Sequence, residues 1–155
     1  MAFYRDGKLT EYTYGDWELF ALNKRDGWTA WKNMTFHTQG TIGRKSVVID
    51  RGDPICEKFV GCEEVVSFYA PSNKVNALFD NLQYEYSNHL ETEVFNSSEE
   101  VYFVKYDRPY WGFYNCNHQL VEWLEFLGAE IEGRVFYKPH LIEGMIPKYE
   151  PIQLL

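Results

Sequence analysis

Cys116 stands in a short polar string, Asn115-Cys116-Asn117-His118, directly before a segment with helical apolar spacing. Asparagine is a good helix N-cap residue, so Asn115 predicts a helix whose first residue is Cys116. The unpaired backbone N–H groups and the positive end of the helix dipole would then lie beside the sulfur. That environment lowers the pKa of a thiol and favours the nucleophilic thiolate. We therefore predict that Cys116 is a nucleophile and that its backbone N–H lies near a developing oxyanion.

A nucleophilic thiol needs a base across the gap, and His37 is the best candidate among the four histidines. The segment Thr29–Thr38 looks extended: within it Met34 and Phe36 share one face, while Thr35, His37 and Gln39 share the other, which predicts a strand with His37 on its polar face. His118 comes only two residues after Cys116, so their side chains diverge by about 200° on a helix. His118 is therefore a poor base for this thiol.

Both residue types have a common structural role that competes with this hypothesis. Cysteine is among the most often buried residues, and an isolated helical cysteine is a small core residue more often than a nucleophile. A single histidine on a strand is likewise usually structural. What favours catalysis is the combination of a capped, helical Cys116 with a compatible His37 on an earlier extended segment.

Periodicity and capping predict the elements that must position these residues. Helical spacing after Pro71-Ser72-Asn73, whose side chains offer an N-cap, predicts an amphipathic helix over Lys74–His89. A second helix runs from Cys116 to about Leu127, with Gly128 as its terminator. A helical turn is expected around Trp17–Leu22, and a turn between Gly40 and Gly43. Strands are predicted at Thr29–Thr38, Lys45–Asp50, Glu64–Ala70, Val101–Asp107 and Arg134–Lys138.

These elements predict an α+β fold in which a mainly antiparallel sheet packs against two main helices. The length of 155 residues and an apolar share of 45% are sufficient for one hydrophobic core. The sequence contains no internal repeat, low-complexity tract or linker that would divide it. We therefore expect a single domain over residues 1–155.

Composition argues against several classes of partner. A formal charge of −8 disfavours a nucleic-acid surface, which needs clustered cations to neutralise phosphates. No segment is apolar for long enough to predict an integral membrane span. The spacings His-Glu-x-x-His and Cys-x-x-Cys are absent, so we predict neither a metal nor another cofactor.

The cellular location and the pairing of the cysteines are less constrained. The first thirty residues carry charges throughout and no apolar run, which favours the cytoplasm, although export by a dedicated secretion system stays open. Cys56 and Cys62 could pair in an oxidising compartment, and Cys116 would be left over either way. The sequence does not predict an oligomeric state.

The string Asn115-Cys116-Asn117-His118, preceded by a strand and an aromatic turn, resembles the circularly permuted papain-like thiol enzymes. These include permuted NlpC/P60 proteins, lecithin–retinol acyltransferase-like enzymes and PPPDE (DeSI-type) isopeptidases. In this group a strand histidine precedes the helical cysteine, and Phe36-His37-Thr38-Gln39-Gly40 looks like that strand. The resemblance covers roughly residues 36–128 and implies a permuted papain-like fold, Cys116 as nucleophile and His37 as general base.

The resemblance also directs attention to further residues. Family members often have Phe after the Cys-x-His unit, whereas this chain has Gln119. A third polar residue would orient the imidazole; Asp50 and Ser46 share one face of the strand Lys45–Asp50, and Asp50 is favoured chemically. Asn115 caps the helix and is also a candidate for the oxyanion site. Trp111 would line an acyl or peptide groove, or simply pack.

The expected reaction is hydrolysis of an amide through a thioester intermediate. The substrate would be a peptide, an isopeptide or a bacterial cell-wall amide. A thiol acyltransferase or lipid esterase is the alternative, weakened because no transmembrane or basic amphipathic anchor is found. A catalytically inactive binding module on the same fold is a further alternative, with Cys116 retained for packing.

Overall fold

Residues 1–50, 52–63, 65–132 and 140–141 of the chain are described by a computed structural model. Short helical segments occur at Trp17–Ala21 (π), Ile55–Lys58 and Leu90–Thr92 (both 3-10). The other elements, in chain order, are β1 (Ala2–Arg5), β2 (Lys8–Asp16), α1 (Gly27–Thr35), β3 (Thr38–Val48), α2 (Ser72–Ser87), β4 (Val94–Asn96), β5 (Val101–Tyr110), α3 (Cys116–Leu127), β6 (Ile131–Glu132) and β7 (His140–Leu141).

Five of the strands form one antiparallel sheet in the order β1-β2-β3-β5-β4, and β6 pairs with β7 separately. The register of β3 against β2 runs from Lys8↔Val48 to Asp16↔Gly40, so β3 is a long central strand. Its other edge pairs with β5, where Thr38 is opposite Tyr110. The predicted α+β class, with an antiparallel sheet, is confirmed.

The principal core lies between this sheet and the helices α2 and α3. Ile42 and Val104 are opposite each other on neighbouring strands and are both fully buried. Helix α2 contributes Leu78, Leu82 and Tyr86, which recur at intervals of four residues and are all buried. The predicted amphipathic helix is confirmed, but it begins at Ser72 behind Pro71, with no side-chain cap.

The strand predicted over Thr29–Thr38 is wrong, because most of this segment is helix α1. Asp26 caps the helix: its Oδ1 accepts the Thr29 N–H at 2.9 Å and its Oδ2 accepts the Thr29 hydroxyl at 2.9 Å. The helix turns Thr29 and Asn33 inward and leaves its large apolar residues exposed. The alternation from Met34 to Gln39 spans the end of α1, the link and the start of β3, so it does not belong to one element.

Two further predictions, a turn between Gly40 and Gly43 and a strand over Glu64–Ala70, are also wrong. Gly40 and Gly43 do not bracket a turn but lie inside the continuous strand β3. They are glycines because neighbouring atoms leave no room: a Cβ on Gly40 would lie 2.0 Å from the Arg108 carbonyl oxygen, and one on Gly43 would lie 2.5 Å from Thr13 Oγ1. The prediction of a strand over Glu64–Ala70 fails too, since residues 65–70 have no regular structure.

Other predictions are confirmed. The segment Trp17–Ala21 is helical, and the strand predicted at Val101–Asp107 is present and extends to Tyr110. Helix α3 begins at Cys116 and ends before Gly128, which adopts a φ of 95°. The strand predicted at Arg134–Lys138 lies outside the described residues. The single-domain assignment stays a prediction.

Cys56 and Cys62 form a disulfide, and Cys116 is the free cysteine. Disulfides persist mainly in oxidising compartments. The cytoplasmic location stays a prediction, and the Cys56–Cys62 disulfide argues against it.

Gly40→Ala should destabilise the protein by about 1–3 kcal/mol, because the added methyl group would force β3 and β5 apart. Urea unfolding measures the effect. Gly27→Ala, at the first position of α1 with nothing within 4 Å of the added carbon, is the matched control and should be at least as stable as the parent. Equal stability of both variants would show that the two strands do not approach this closely.

Candidate functional site

Cys116 is the first residue of α3, and its position is fixed by the cap before it. The Oδ1 of Asn115 accepts the Asn117 N–H at 3.0 Å. The Asn115 N–H in turn donates to Nδ1 of His118 at 3.3 Å, which completes a capping box. The predicted N-cap is confirmed. The role of His118 in it was not foreseen, although its spacing of three residues from the cap is the signal.

Cys116 is an exposed residue, but its sulfur is partly withdrawn from water and accepts a hydrogen bond from the Tyr110 hydroxyl. Partial burial of the sulfur raises the pKa of the thiol, and the N–H groups of Asn117 and Cys116 together with Tyr110 lower it by a smaller amount. The predicted lowering of the pKa of Cys116 is therefore wrong. Desolvation outweighs the helix N-terminus here, because the thiolate loses more hydration than these donors replace.

His37 lies in the short link between α1 and β3 rather than within a strand. Its ring packs against the indole of Trp111 at 4.4 Å between centroids, with an interplanar angle of 65°. Trp111 follows Tyr110, the residue that hydrogen-bonds Cys116. The two predicted residues thus contact consecutive residues at the end of β5: Cys116 contacts Tyr110, and His37 contacts Trp111. Within the described chain, no hydrogen bond joins His37 to Cys116.

Trp111 belongs to a tight aromatic turn after β5. Its N–H and carbonyl pair with Tyr114 at 3.0 and 2.9 Å, and its indole also contacts Phe113 at 5.0 Å. A Cβ on Gly112 would lie 2.6 Å from the carbonyl oxygen of Met34, so the turn is pressed against the end of α1. Trp111 therefore packs between His37 and this turn, and its part in a substrate groove stays a prediction.

The structure does not bring Asp50 to His37. Asp50 lies beyond the far end of β3, and a strand of this length separates the two by roughly 30 Å. The Asp50 backbone N–H donates a hydrogen bond to the Asp53 carboxylate. Ser46, the other candidate, is hydrogen-bonded to the Thr10 hydroxyl at 2.9 Å. The sequence pattern misled because one long strand replaces the predicted hairpin.

A different carboxylate, that of Asp16, lies beside the His37 segment. It is fully buried and accepts the Leu19 N–H at 2.8 Å and the Thr38 hydroxyl at 2.5 Å. The signal for it in the sequence is an N-cap residue directly before the helical segment Trp17–Ala21. It fixes the residue after His37 rather than the imidazole itself.

A cleft of about 630 Å³ lies beside His37, and none of the residues that line it belongs to α3. Its walls are formed by four aromatic residues, Trp17, Trp28, Trp31 and Phe36. Ionisable side chains also line it, namely Asp16, Glu18, Lys32, His37 and Lys105. Its volume is in the range of small-molecule sites. Cys116 does not line the cleft.

Comparison of the chain with protein-family models, with curated proteins and with solved structures finds no match. Activity must therefore be argued from the geometry of this chain. In the part of the chain that the structure describes, no three His, Cys, Asp or Glu side chains are grouped as metal ligands. None of the described helices combines the length and apolar character of a membrane span.

Tyr110→Phe should raise the pKa of Cys116 further, because it removes a hydrogen-bond donor to the thiolate. The rate of alkylation by iodoacetamide, followed against pH, should shift to higher pH and fall severalfold near neutrality. Tyr102→Phe is a matched control on the same strand, with its ring half-exposed against Phe95. A profile unchanged in Tyr110→Phe, or displaced to lower pH, would contradict this contact.

Proposed function

We propose that the protein is a cysteine-dependent hydrolase of an amide bond, with Cys116 as nucleophile, His37 as base and a permuted papain-like arrangement of the two. The observation that carries the proposal is convergence at one end of the sheet. The thiol bonds Tyr110, and the imidazole packs on Trp111, the next residue. Two groups separated by 79 positions in the numbering thus meet neighbouring residues.

The thiol has the surroundings that attack on a carbonyl requires. It belongs to an exposed residue in the first turn of α3, and the N–H groups of Cys116 and Asn117 hydrogen-bond the sulfur. When the sulfur bonds to the substrate, N–H groups at this helix end are available to the oxyanion. Asn115 keeps this turn in place through its bond to the Asn117 N–H.

In the proposed reaction the Cys116 sulfur attacks the carbonyl carbon while its proton passes to the imidazole of His37. The carbon–nitrogen bond then breaks, and the amine leaves with that proton. Water attacks the resulting thioester and gives a proton to His37; the carbon–sulfur bond breaks, His37 returns that proton to the sulfur, and the acid and the free thiol are released. Because its pKa is raised, Cys116 is a neutral thiol near pH 7 and needs this base at the moment of attack.

The reaction requires the imidazole to approach the sulfur when substrate binds. Catalytic hydrogen bonds often form only in the substrate complex. The turn that Trp111 forms with Tyr114 is held by two backbone hydrogen bonds and by the packing of aromatic rings. The proposal therefore requires displacement of this turn, or rotation of the His37 side chain away from Trp111, when substrate binds.

The substrate class within this proposal is a peptide, an isopeptide or a cell-wall amide. A thioester is discharged equally well by another acceptor, so a thiol acyltransferase or lipid esterase uses the same two residues. The product distinguishes them: an acid from hydrolysis, and a new amide or ester from transfer.

A binding module without catalysis is the second candidate, and two observations favour it. Burial raises the pKa of Cys116, and in the described residues His37 contacts Trp111 rather than the thiol. In such a protein the capped helix start would be structural, and the cleft beside His37 would carry the function.

Acetylation by p-nitrophenyl acetate should separate these candidates. The enzyme proposal predicts a burst of nitrophenolate, one acetyl group on Cys116 by mass spectrometry, and its later loss to water. His37→Ala should slow both steps by about a hundredfold, the usual effect of a general base. Cys116→Ser should abolish the thioester.

His89→Ala is the matched control, since His89 lies at the end of α2 and pairs with Glu91 and Asp107. It should react at the rate of the parent. Because Cys56 and Cys62 are paired, one thiol per chain should react with iodoacetamide without reductant. If His37→Ala acetylates and turns over as fast as the parent, His37 has no part in the reaction and the binding module is favoured.

A further inference from the structure

We propose that the cleft beside His37 binds a small ligand that combines a planar ring with an anionic group, such as an aromatic carboxylate. The cleft lies between the segment Trp17–Ala21, helix α1 and the start of β3, and its volume is about 630 Å³. This binding site needs neither the Cys116 thiol nor hydrolysis, so it is independent of the proposed function.

The aromatic walls supply the surface for a planar ring. Trp28 and Trp31 are stacked at 5.0 Å with an interplanar angle of 27°, and Phe36 meets Trp31 edge-on at 5.6 Å. Their exposed fractions are 67%, 49% and 53%. Three large rings grouped at one concave surface remain in water unless a partner covers them, and such patches on soluble proteins are usually binding sites. A flat ring would bury against them by stacking.

Helix α1 itself is oriented in a way that does not favour stability. It buries the polar Thr29 and Asn33 and exposes its indoles. Both polar atoms of the Asn33 side chain are buried, with no hydrogen-bond partner in the described part of the chain. An unsatisfied buried amide costs about 1–3 kcal/mol. This orientation costs stability, and it presents Trp28 and Trp31 on the exposed side, where they line the cleft.

The charges around the cleft favour an anion. Lys32 and Lys24 both pair with Glu18, which removes that carboxylate as a partner for a ligand. The buried Asp16 carboxylate already accepts hydrogen bonds from Leu19 and Thr38. His37 is packed against Trp111 at the inner end.

Lys105 is the cation that stays available. Its Nζ lies 5.7 Å from the centroid of the Trp17 ring, and among the described residues it has no carboxylate within salt-bridge distance. A carboxylate or similar anion bound there would gain a charge-assisted hydrogen bond beside the aromatic wall. A cationic ligand would instead meet Lys105, which disfavours the aromatic-cage chemistry used for quaternary ammonium groups.

The test is isothermal titration calorimetry with 2-naphthoate, with its neutral analogue 2-naphthamide and with a trimethylammonium naphthalene. The proposal predicts saturable one-to-one binding of naphthoate, weaker binding of the amide and the weakest binding of the cation. Lys105→Gln should weaken naphthoate binding about tenfold, close to 1.4 kcal/mol, and leave the amide unchanged. Trp31→Leu should weaken both, because it removes the stacking surface.

Lys8→Gln and Phe126→Leu are matched controls, since both residues are exposed on β2 and α3 and neither lines the cleft. They should bind as the parent does. Cys116→Ser should also bind normally, which separates failure of this site from failure of the proposed function. Thermal unfolding shows whether Lys105→Gln and Trp31→Leu are folded. If Trp31→Leu is not folded, Trp28→Leu replaces it as the variant of the aromatic wall.

Absence of saturable binding by any of the three probes would overturn the proposal. Tightest binding of the trimethylammonium compound would overturn the assignment of charge. Equal binding of naphthoate to the parent and to Lys105→Gln would do the same.

Discussion

The buried carboxylate of Asp16 holds together the end of the sheet from which His37 extends. It terminates β2, caps the helical segment Trp17–Ala21 through the Leu19 N–H, and accepts the hydroxyl of Thr38 at the start of β3. A carboxylate with no exposure to water is tolerated only when its oxygens are hydrogen-bonded. These bonds therefore fix three chain segments relative to one another, and they place the link that contains His37.

Close approach of the two central strands is the second constraint at this end. Gly40 lies against the Arg108 carbonyl, and the register of β3 and β5 shifts between Thr38 and Gly40. After this irregularity Tyr110 still lies opposite Thr38, so its hydroxyl reaches Cys116 while Trp111 reaches His37. Consecutive residues at the end of β5 thus contact the start of α3 and the link that contains His37.

At Cys116 two opposing effects can be compared directly. The helix N-terminus and the Tyr110 hydroxyl favour the thiolate, whereas withdrawal of the sulfur from water favours the thiol. Desolvation is the larger effect, so a helix start by itself is insufficient to activate this cysteine. Activation would have to come from a base, and this makes the position of His37 the decisive feature of the enzymatic proposal.

Some features follow from short stretches of sequence. The spacing of Leu78, Leu82 and Tyr86 determines one face of α2, and Asn115 with Gly128 marks the two ends of α3. The cap at Asp26 is equally local, but the alternation at the end of the segment that it starts predicts a strand. Helix α1 buries polar residues and exposes apolar ones. A rule that assigns apolar residues to the core therefore predicts the wrong buried face for this helix.

Other features depend on residues that are distant in sequence. Locally, the two glycines of β3 predict a turn. The atoms that exclude a Cβ at these positions come from Arg108 and Thr13 on neighbouring strands, so they are not visible in the local sequence. The contact between His37 and Trp111, the bond from Tyr110 to Cys116 and the separation of Asp50 from His37 were likewise decided by strand pairing. Caps and helical periodicity act within a few residues and are encoded locally. Register joins positions such as Thr38 and Tyr110, and it is fixed only when the sheet, the helices and the buried Asp16 are in place together.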